Sequence, residues 1–528
     1  MSRSIAFLIA AILIAAVSVA LWTVELTDID AAFGLGGDSE PADDGLEVAG
    51  VAVTAASTTT MAPTTSTLPP TTTTTVPPYD GWVDPASSGS AWSELGAVEG
   101  LLTFRGNPTR SFYGRNAPQN PTVVWTHDIG CANSPVGGVN KVWCGSGWTG
   151  QPSVFQPPES SGAAPGTWWL AFGGYDRNVT FLDPLTGEEV YGPYETGDII
   201  KGSITIDPDG YPLMYTGSRD NNYHVVAIDR PEPIALWKLN ADAVKPVKWN
   251  DDWDGSGLII DDYLFEGGEN SRFFIVKLNR GYDADGLVTV APEIVFSTES
   301  WDSELLAVTS NEQSIENSVA ISGNTVYFAN SSGLIQGWDI GSVSTGGTPE
   351  RVFRFWAGED VDASLVIDEE GMIYAGVEYE KGRSRAKELG QVLKLDPSQP
   401  ADPLVWSVQA NSGIKSGVWA TPALHRDILI VATDDGEILG LDRADGSSRW
   451  QLDVPGPTWQ SPVVVDDILI QGDCSGVMHG YDVADTSAEP VELWSQFLGE
   501  GCLESTPAVW DGGIYVGSRN GTFYALRD

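Results

Sequence analysis

Side chains that could bind a ligand stand at the second position of similar short segments, from WTGQPSV near the start of the repeats to LESTPAV near their end. These residues are Thr149, Lys201, Asp254, Glu316, Asp362, Trp419, Trp459 and Glu504. Carboxylates bind cations and basic groups, and adjacent Trp rings stack on planar rings or sugar faces. If these side chains lie close together in the fold, they form an acidic site with Trp rings on one side. Such a site suits basic peptides, divalent cations or glycans.

One stretch approaches the spacing of a calcium-binding loop, with oxygen ligands at positions 1, 3, 5 and 12 and Gly255 at position 6. Those ligands are Asn250, Asp252, Asp254 and Asp261. The stretch departs from the pattern because it has no acid at position 9 and no flanking helices. Ca²⁺ binding and ordinary turn chemistry are both open interpretations of it.

The cysteines form an even set of four in a domain that we expect to be exported, so the sequence predicts disulfides. They are Cys131, Cys144, Cys474 and Cys502. We favour 131 with 144 and 474 with 502, and crossed pairings stay open. No CxxC spacing indicates a zinc or redox site.

Other motifs point away from enzyme chemistry. Residues 145–150 match G-x-G-x-x-G but lead into a strand rather than a helix, which argues against a dinucleotide site. The four histidines lack metal or catalytic spacing, and no G-x-S-x-G, H-E-x-x-H or phosphate loop occurs. Hydrolase chemistry therefore has no support in the sequence.

Repeated hydrophobic hairpins must position the candidate residues. Segments such as EILGLD and VMHGYD each follow an apolar strand, and an aromatic residue in a further short strand follows most of them. Eight such units predict an all-β, eight-bladed β-propeller over residues 121–528. The last unit lacks its outer strand, so we expect TVVWTHD, which contains Trp125, to close the ring.

The candidate ligand-binding segments begin the innermost strand of each predicted blade. Inner strands of a propeller line its central channel. The eight residues, or their neighbours, are therefore expected to surround one mouth of the channel. The alternative is a solvated rim whose residue types carry no function.

The N-terminal part predicts a membrane anchor and a stalk. Residues 1–4 precede an uncharged apolar run at 5–22, which we interpret as a transmembrane signal anchor with its N-terminus in the cytoplasm. A cleaved signal peptide is the alternative. Residues 23–79 are acidic and Thr/Pro-rich, as in a disordered linker, and residues 80–120 read as an ordered lead-in.

The overall charge limits the choice of partners. The chain of 528 residues has 72 acidic and 28 basic side chains, a formal net charge of −44. Such a charge repels nucleic-acid phosphates and attracts cations or basic partners. We therefore expect no nucleic-acid partner.

The segment QSPVVVDDILIQGDCSGVMHGYD contains S-P-x-V, then a hairpin with a Gly turn, and then an apolar strand that ends in Asp. This pattern resembles pyrroloquinoline-quinone-type (PQQ-like) propeller repeats. The resemblance covers residues 121–528. It implies the propeller fold, but the family includes both quinoprotein dehydrogenases and non-catalytic scaffolds such as the lipoprotein of the outer-membrane barrel-assembly machinery. Alcohol-oxidising quinoproteins have two adjacent cysteines beside the cofactor, and this chain has no such pair.

These observations favour a non-enzymatic scaffold, tethered to a membrane with its propeller on the extracytoplasmic side. A cell-envelope protein, a basic peptide or a glycan is the expected partner, and no cofactor other than Ca²⁺ is expected. The alternative is a PQQ- and Ca²⁺-dependent dehydrogenase, although carboxylates at the mouth would repel those of PQQ unless Ca²⁺ lay between them. A purely structural envelope protein without a small ligand is the third interpretation.

Overall fold

The computed structural model describes residues 79–92, 96–136, 138–148, 150–310, 312–410, 413 and 416–528. The predicted segments 1–4 and 5–22, and all but the last residue of the predicted linker 23–79, lie outside these described residues. No helix within the described residues is long and apolar enough to cross a membrane.

Eight antiparallel sheets confirm the all-β, eight-bladed propeller. Their strands are short and rich in β-branched and aromatic residues, and the two middle strands of each blade are almost wholly buried. Blades 1 to 4 consist of Ser153–Phe155, Trp169–Gly173, Asn178–Leu182 and Glu189–Glu195; Thr205–Ile206, Leu213–Gly217, Asn222–Ala227 and Ile234–Asn240; Leu258–Ile260, Tyr263–Gly268, Arg272–Lys277 and Glu293–Glu299; Ala320–Ser322, Thr325–Phe328, Leu334–Asp339 and Glu350–Trp356.

The second half repeats this plan. Blades 5 to 8 consist of Val366–Ile367, Ile373–Gly376, Val392–Leu395 and Leu404–Val408; Ala423–His425, Ile428–Ala432, Glu437–Asp442 and Ser448–Asp453; Val463–Val465, Ile468–Gly472, Val477–Asp482 and Val491–Phe497; Ala508–Trp510, Gly513–Gly517, Thr522–Arg527 and, as outer strand, Thr122–Asp128.

Shorter elements lie within, between and before the blades. Two-stranded sheets pair Cys131–Val136 with Val139–Cys144, Gly281–Tyr282 with Val288–Thr289, and Glu378–Tyr379 with Ser416–Gly417. Gly100–Leu101 joins blade 1 and Gly114–Arg115 joins blade 8. The α-helices are Ser303–Leu306 and Ser384–Leu389, and the 3₁₀ helices are Pro85–Ser87, Glu159–Ser161 and Val343–Thr345.

The predicted ring closure is confirmed. Thr122–Asp128 pairs antiparallel with Thr522–Arg527, so that Trp125 lies opposite Ala525. The Trp125 indole N–H also donates a hydrogen bond to the carbonyl oxygen of Pro184 in blade 1 at 3.3 Å. The closing strand therefore completes blade 8 and contacts blade 1, which leaves no gap between the first and last blades.

The aromatic residues of the outer strands join neighbouring blades. In blade 5, the Trp406 indole donates to the carbonyl of Arg443 in blade 6 at 3.1 Å. The Tyr191 hydroxyl of blade 1 donates to the carbonyl of Arg230 in blade 2 at 2.6 Å. These aromatic side chains contribute apolar contact and a directed hydrogen bond at the same interface.

Hydroxyl side chains join the inner strands to one another. The backbone N–H of Ser256 donates to the hydroxyl of Ser318, and that of Ser318 to Ser364, each at 2.9 Å. The series continues from Ser364 to Thr421 and from Thr421 to Ser461, again at 2.9 Å. This explains the Ser or Thr of the repeat pattern, because each one accepts an amide hydrogen from the preceding blade.

The predicted lead-in crosses the end of the channel at which the inner strands finish. Amides near the ends of three inner strands, those of Ile206, Ile321 and Ile367, donate to lead-in carbonyls at 2.8, 2.9 and 3.0 Å. Gly114–Arg115 runs parallel to the inner strand of blade 8. We call residues 99–117 the plug.

Two fully buried arginines fix the plug in place. Arg105 donates through its guanidinium to the carbonyls of Pro422 and Pro462 in blades 6 and 7. Arg110 donates to the carbonyl of Val319 at 2.8 Å and to that of Ser256 at 2.6 Å, at the inner strands of blades 4 and 3. The charges are thus satisfied by backbone dipoles that would otherwise be buried without a partner.

We expect Arg110→Leu to lower the free energy of unfolding by about 3 kcal/mol, because it leaves buried carbonyls without donors. Arg449→Leu is the control, since Arg449 forms ion pairs with Asp427 and Asp442 at the surface and such pairs contribute less than about 1 kcal/mol. Urea unfolding followed by Trp fluorescence measures both. Equal losses in the two variants would contradict a stabilising role for the plug.

Gly440 should not tolerate a side chain. It lies directly opposite Trp450 in blade 6, and a Cβ at this position would overlap the Trp450 ring. We expect Gly440→Ala to cost about 1–3 kcal/mol of stability through overpacking. Gly192→Ala, where no atom lies within 4 Å of the added Cβ, is the matched control in thermal unfolding. A melting temperature for Gly440→Ala equal to that of the control would refute this account.

Candidate ligand-binding site

Most of the eight predicted ligand-binding residues lie where the inner strands begin. This is the channel mouth opposite the plug. Glu316, Asp362, Trp419 and Trp459 come from four consecutive blades and are partly exposed. We call these four residues the mouth arc. Thr149, the predicted contribution of blade 1, lies outside the described residues.

Blades 2 to 4 bring three carboxylates and one ammonium group together. The carboxylate oxygens of Asp254, Glu269 and Glu316 lie within 4.8 Å of one another, and we call these residues the first triad. The Lys201 ammonium forms an ion pair with Asp254 and approaches Glu269 Oε1 to 3.3 Å. Lys201 therefore occupies the position that a bound cation would take.

Further polar contacts surround the first triad. The Asn250 amide donates to Asp252 Oδ2 at 2.9 Å and to Glu269 Oε2 at 2.8 Å. Arg219 pairs with Asp252. The side chains near the start of blade 3 thus form a network in which protein cations and amides satisfy the carboxylates.

The four residues of the predicted calcium loop do not converge on one point, which corrects that interpretation. Asn250, Asp252 and Asp254 precede the inner strand Leu258–Ile260, whereas Asp261 follows it, is exposed, and has a left-handed backbone with φ of 52°. A strand rises about 3.3 Å per residue, so it carries Asp261 to the opposite end.

A second group of carboxylates lies in blade 5. The carboxylate oxygens of Asp360, Asp362 and Glu378 lie within 4.8 Å of one another, and we call these residues the second triad. The backbone N–H of Glu378 donates to the carbonyl of Asp360 at 2.9 Å. Gly417, with φ of +142°, packs so closely on Glu378 that a Cβ would lie 2.6 Å from the Glu378 Cα atom.

The predicted Trp pair is in contact. The rings of Trp419 and Trp459 have centroids 4.7 Å apart and planes inclined at 41°. Since the rings touch each other, a planar ligand can stack on their outer faces but cannot insert between them.

Blade 8 contributes no open carboxylate. Glu504 is 2% exposed, and its two oxygens accept hydrogen bonds from Arg519 Nη1 at 3.0 and 3.1 Å. The backbone N–H of Trp148 also donates to Glu504 at 3.3 Å. Glu504 is therefore covered, unlike the members of the mouth arc.

Both favoured disulfides are formed, Cys131 with Cys144 and Cys474 with Cys502. The first joins the two ends of the hairpin that precedes blade 1. That hairpin accepts hydrogen bonds from Arg177 at 2.6 Å and from Arg219 at 3.1 Å, which hold it over blades 1 and 2. The hairpin explains why one side of the mouth is covered.

Burial and mutual repulsion shift the carboxyl groups of the first triad and its neighbours. Burial, and next the charge of Glu269, raise the pKa of Glu316 to about 8 and the pKa of Asp252 to about 7. Lys201 opposes both shifts. Glu316 therefore titrates near neutral pH.

Sequence reasoning did not assign Glu269 or Glu378 to the site. Each follows the second strand of its blade, Tyr263–Gly268 or Ile373–Gly376. Because the second strand runs antiparallel to the inner strand, its end lies beside the start of the inner strand. Aligning the residues that follow each second strand would have revealed these acids.

The eight blades and their repeated inner-strand residues form a β-propeller. Residues 389–528 match the family model PQQ_2, described as outer membrane protein assembly factor BamB. The resemblance to PQQ-like repeats is thus confirmed over these residues, which cover the second half of blade 5 and blades 6 to 8 apart from the closing strand. A comparison with curated proteins gave no match.

Solved structures share the fold at low sequence identity. BamB from Moraxella catarrhalis is 15% identical with a TM-score of 0.51, over 77% of this chain and 100% of that chain. Quinohemoprotein alcohol dehydrogenase from Comamonas testosteroni is 11% identical with a TM-score of 0.53, over 84% of each chain. Sqt1 from Saccharomyces cerevisiae is 10% identical with a TM-score of 0.51, over 78% of this chain and 99% of that chain. These similarities concern the fold alone.

The raised pKa of Glu316 predicts a pH-dependent stability. A carboxyl group whose pKa is higher in the folded than in the unfolded state loses its stabilising contribution as pH rises, here between about 4.5 and about 8. We expect Glu316→Gln to remove this decline, so that the variant gains on the native protein as pH rises from 5 to 8. Urea unfolding in EDTA-containing buffer tests this, and parallel pH profiles would contradict it.

Proposed function

We propose that this protein is a non-enzymatic propeller, tethered to the extracytoplasmic side of a membrane, that binds a basic segment of a cell-envelope protein at its channel mouth. The observation that supports this proposal is the mouth arc. Two carboxylates and two Trp rings from four consecutive blades are partly exposed side by side, while the plug covers the other end of the channel.

The chemistry of the mouth arc suits Arg and Lys side chains. Glu316 and Asp362 can accept charge-assisted hydrogen bonds from guanidinium or ammonium groups. The faces of Trp419 and Trp459 attract the same cations through their ring electrons. The formal net charge of −44 would also draw a basic segment towards the protein.

The sequence supports the proposed location. Residues 5–22 form an uncharged apolar run that follows Arg3, and an acidic and Thr/Pro-rich stretch separates this run from the propeller. Two disulfides are typical of a protein in an oxidising compartment.

The residues at the mouth do not suit PQQ, which carries several carboxylates. The cations there are already paired with protein carboxylates: Lys201 with Asp254, Lys381 with Glu312, and Arg519 with Glu504. The Trp rings contact each other instead of leaving a gap for a flat cofactor. These residues therefore favour the binding of a basic ligand over dehydrogenase chemistry.

The test is binding of a fluorescein-labelled hexa-arginine peptide to the full-length protein in detergent micelles, followed by fluorescence anisotropy. We expect Trp419→Ala and Trp459→Ala each to weaken binding about tenfold, because each removes a cation–π surface at the arc. Trp168→Ala is the matched control, since the partly exposed Trp168 packs on Trp510 of the inner strand of blade 8, away from the arc.

Three results would contradict the proposal. The first is equal peptide affinity in all three variants, and the second is equally strong binding of a hexa-glutamate peptide. The third is dye reduction with alcohols after addition of PQQ and Ca²⁺, which would show a dehydrogenase. Preferential binding of a neutral oligosaccharide would replace the basic peptide by a glycan.

A further inference from the structure

The two carboxylate triads of the channel mouth have similar composition but different counter-charges. Lys201 reaches two of the three carboxylates in the first triad. Within the part of the chain that the structure describes, the ammonium group of Lys381 pairs with the second triad, 3.6 Å from Asp360 Oδ2. Lys381 is held instead by Glu312 at 2.9 Å and by the carbonyl of Ser331 at 3.3 Å. Among the described residues, the second triad thus has a counter-charge at its edge but none between its members.

Buried oxygens of the second triad lack hydrogen-bond donors. Oδ1 of Asp360 and Oδ1 of Asp362 are both buried and accept no hydrogen bond. Asp360 is 8% exposed and Glu378 is 4% exposed, so water cannot readily replace the missing donors. Burying carboxylates in this way is costly unless a proton or a cation neutralises them.

The close approach of the three carboxylates points the same way. Since their oxygens lie within 4.8 Å of one another, the negative charges of Asp360, Asp362 and Glu378 repel one another. A divalent cation among the three groups would replace this repulsion by attraction.

We propose that Asp360, Asp362 and Glu378 form a Ca²⁺-binding site at the channel mouth. All three ligands are carboxylates, which suit hard cations, whereas Zn²⁺ and Cu²⁺ favour nitrogen and sulfur ligands. Ca²⁺ accepts irregular arrangements of oxygen atoms, and Asp362 is partly exposed, which leaves one side for water ligands. The site is distinct from the stretch beginning at Asn250 and requires no peptide ligand.

The experiment uses the full-length protein in detergent, stripped with EDTA and titrated with CaCl₂ by isothermal calorimetry. We expect one Ca²⁺ per chain, and at least a tenfold loss of affinity in Asp362→Asn and in Glu378→Gln. Glu304→Gln is the matched control for loss of one negative charge, because Glu304 lies on the exterior with its side chain 77% exposed. Its Ca²⁺ affinity should equal that of the native protein.

Thermal unfolding distinguishes a loss of Ca²⁺ binding from a loss of folding in the triad variants. In EDTA, both triad variants should be at least as stable as the native protein, because each removes a repelling charge. Added CaCl₂ should raise the melting temperature of the native protein and of Glu304→Gln, but not that of the triad variants.

Native protein that shows no Ca²⁺ binding, or triad variants that bind like the native protein, would overturn the proposal. Tighter binding of MgCl₂ than of CaCl₂ would overturn the choice of cation. Since Ca²⁺ is the only ligand added, failure here is distinguishable from failure of peptide binding.

Discussion

The hydroxyl hydrogen bonds between inner strands are the interaction on which the geometry of the channel depends. Each Ser or Thr in this series stands two residues after a mouth residue, as Ser318 follows Glu316 and Ser364 follows Asp362. An amide of the preceding blade donates to each hydroxyl, so the distance between neighbouring blades is set next to the ligand-binding positions. Side chains from separate repeats can therefore meet at hydrogen-bonding distances, although their residues lie far apart in sequence.

The plug makes the two ends of the channel chemically different. Arg105 and Arg110 are fully buried, and backbone carbonyls of the inner strands satisfy them. At the other end, carboxylates of both triads face the channel mouth. The plug therefore covers the end opposite the acidic groups and supports the inner strands there. Ring closure by Thr122–Asp128 follows directly after the plug in sequence, so one continuous segment both fills and fastens the propeller.

The repeats made the fold predictable, whereas the connections between repeats decided which site residues are exposed. The eight blades and the closing strand with Trp125 followed from periodic patterns that the structure confirms. The disulfides followed from the even number of cysteines, and the structure confirms the favoured pairing. The sequence predicted an ordered lead-in but not its position across the channel, because the plug has no repeat and binds mainly through its backbone and two arginines. Nor did the repeat pattern show that Arg519 would cover Glu504. Asp261 shows the limit of loop spacing as evidence, since a strand separates it from the other candidate ligands.

The two triads differ in their counter-charges because the neighbouring blades supply different residues. Beside blade 3, the mouth position of blade 2 is Lys201, whose ammonium group enters the first triad. Blade 4, the corresponding neighbour of blade 5, has Glu316 at this position, which adds a further carboxylate, and blade 6 on the other side has Trp419, which packs on Trp459 and carries no charge. Carboxylates held close by the same backbone plan thus receive an ammonium group from a neighbouring blade in one place, whereas among the described residues the other triad has a counter-charge only at its edge. Because Asp362 and the Trp pair occupy the mouth positions of consecutive blades, carboxylate charge and aromatic surface coincide on blades 5 to 7, and the proposed binding depends on this side of the mouth.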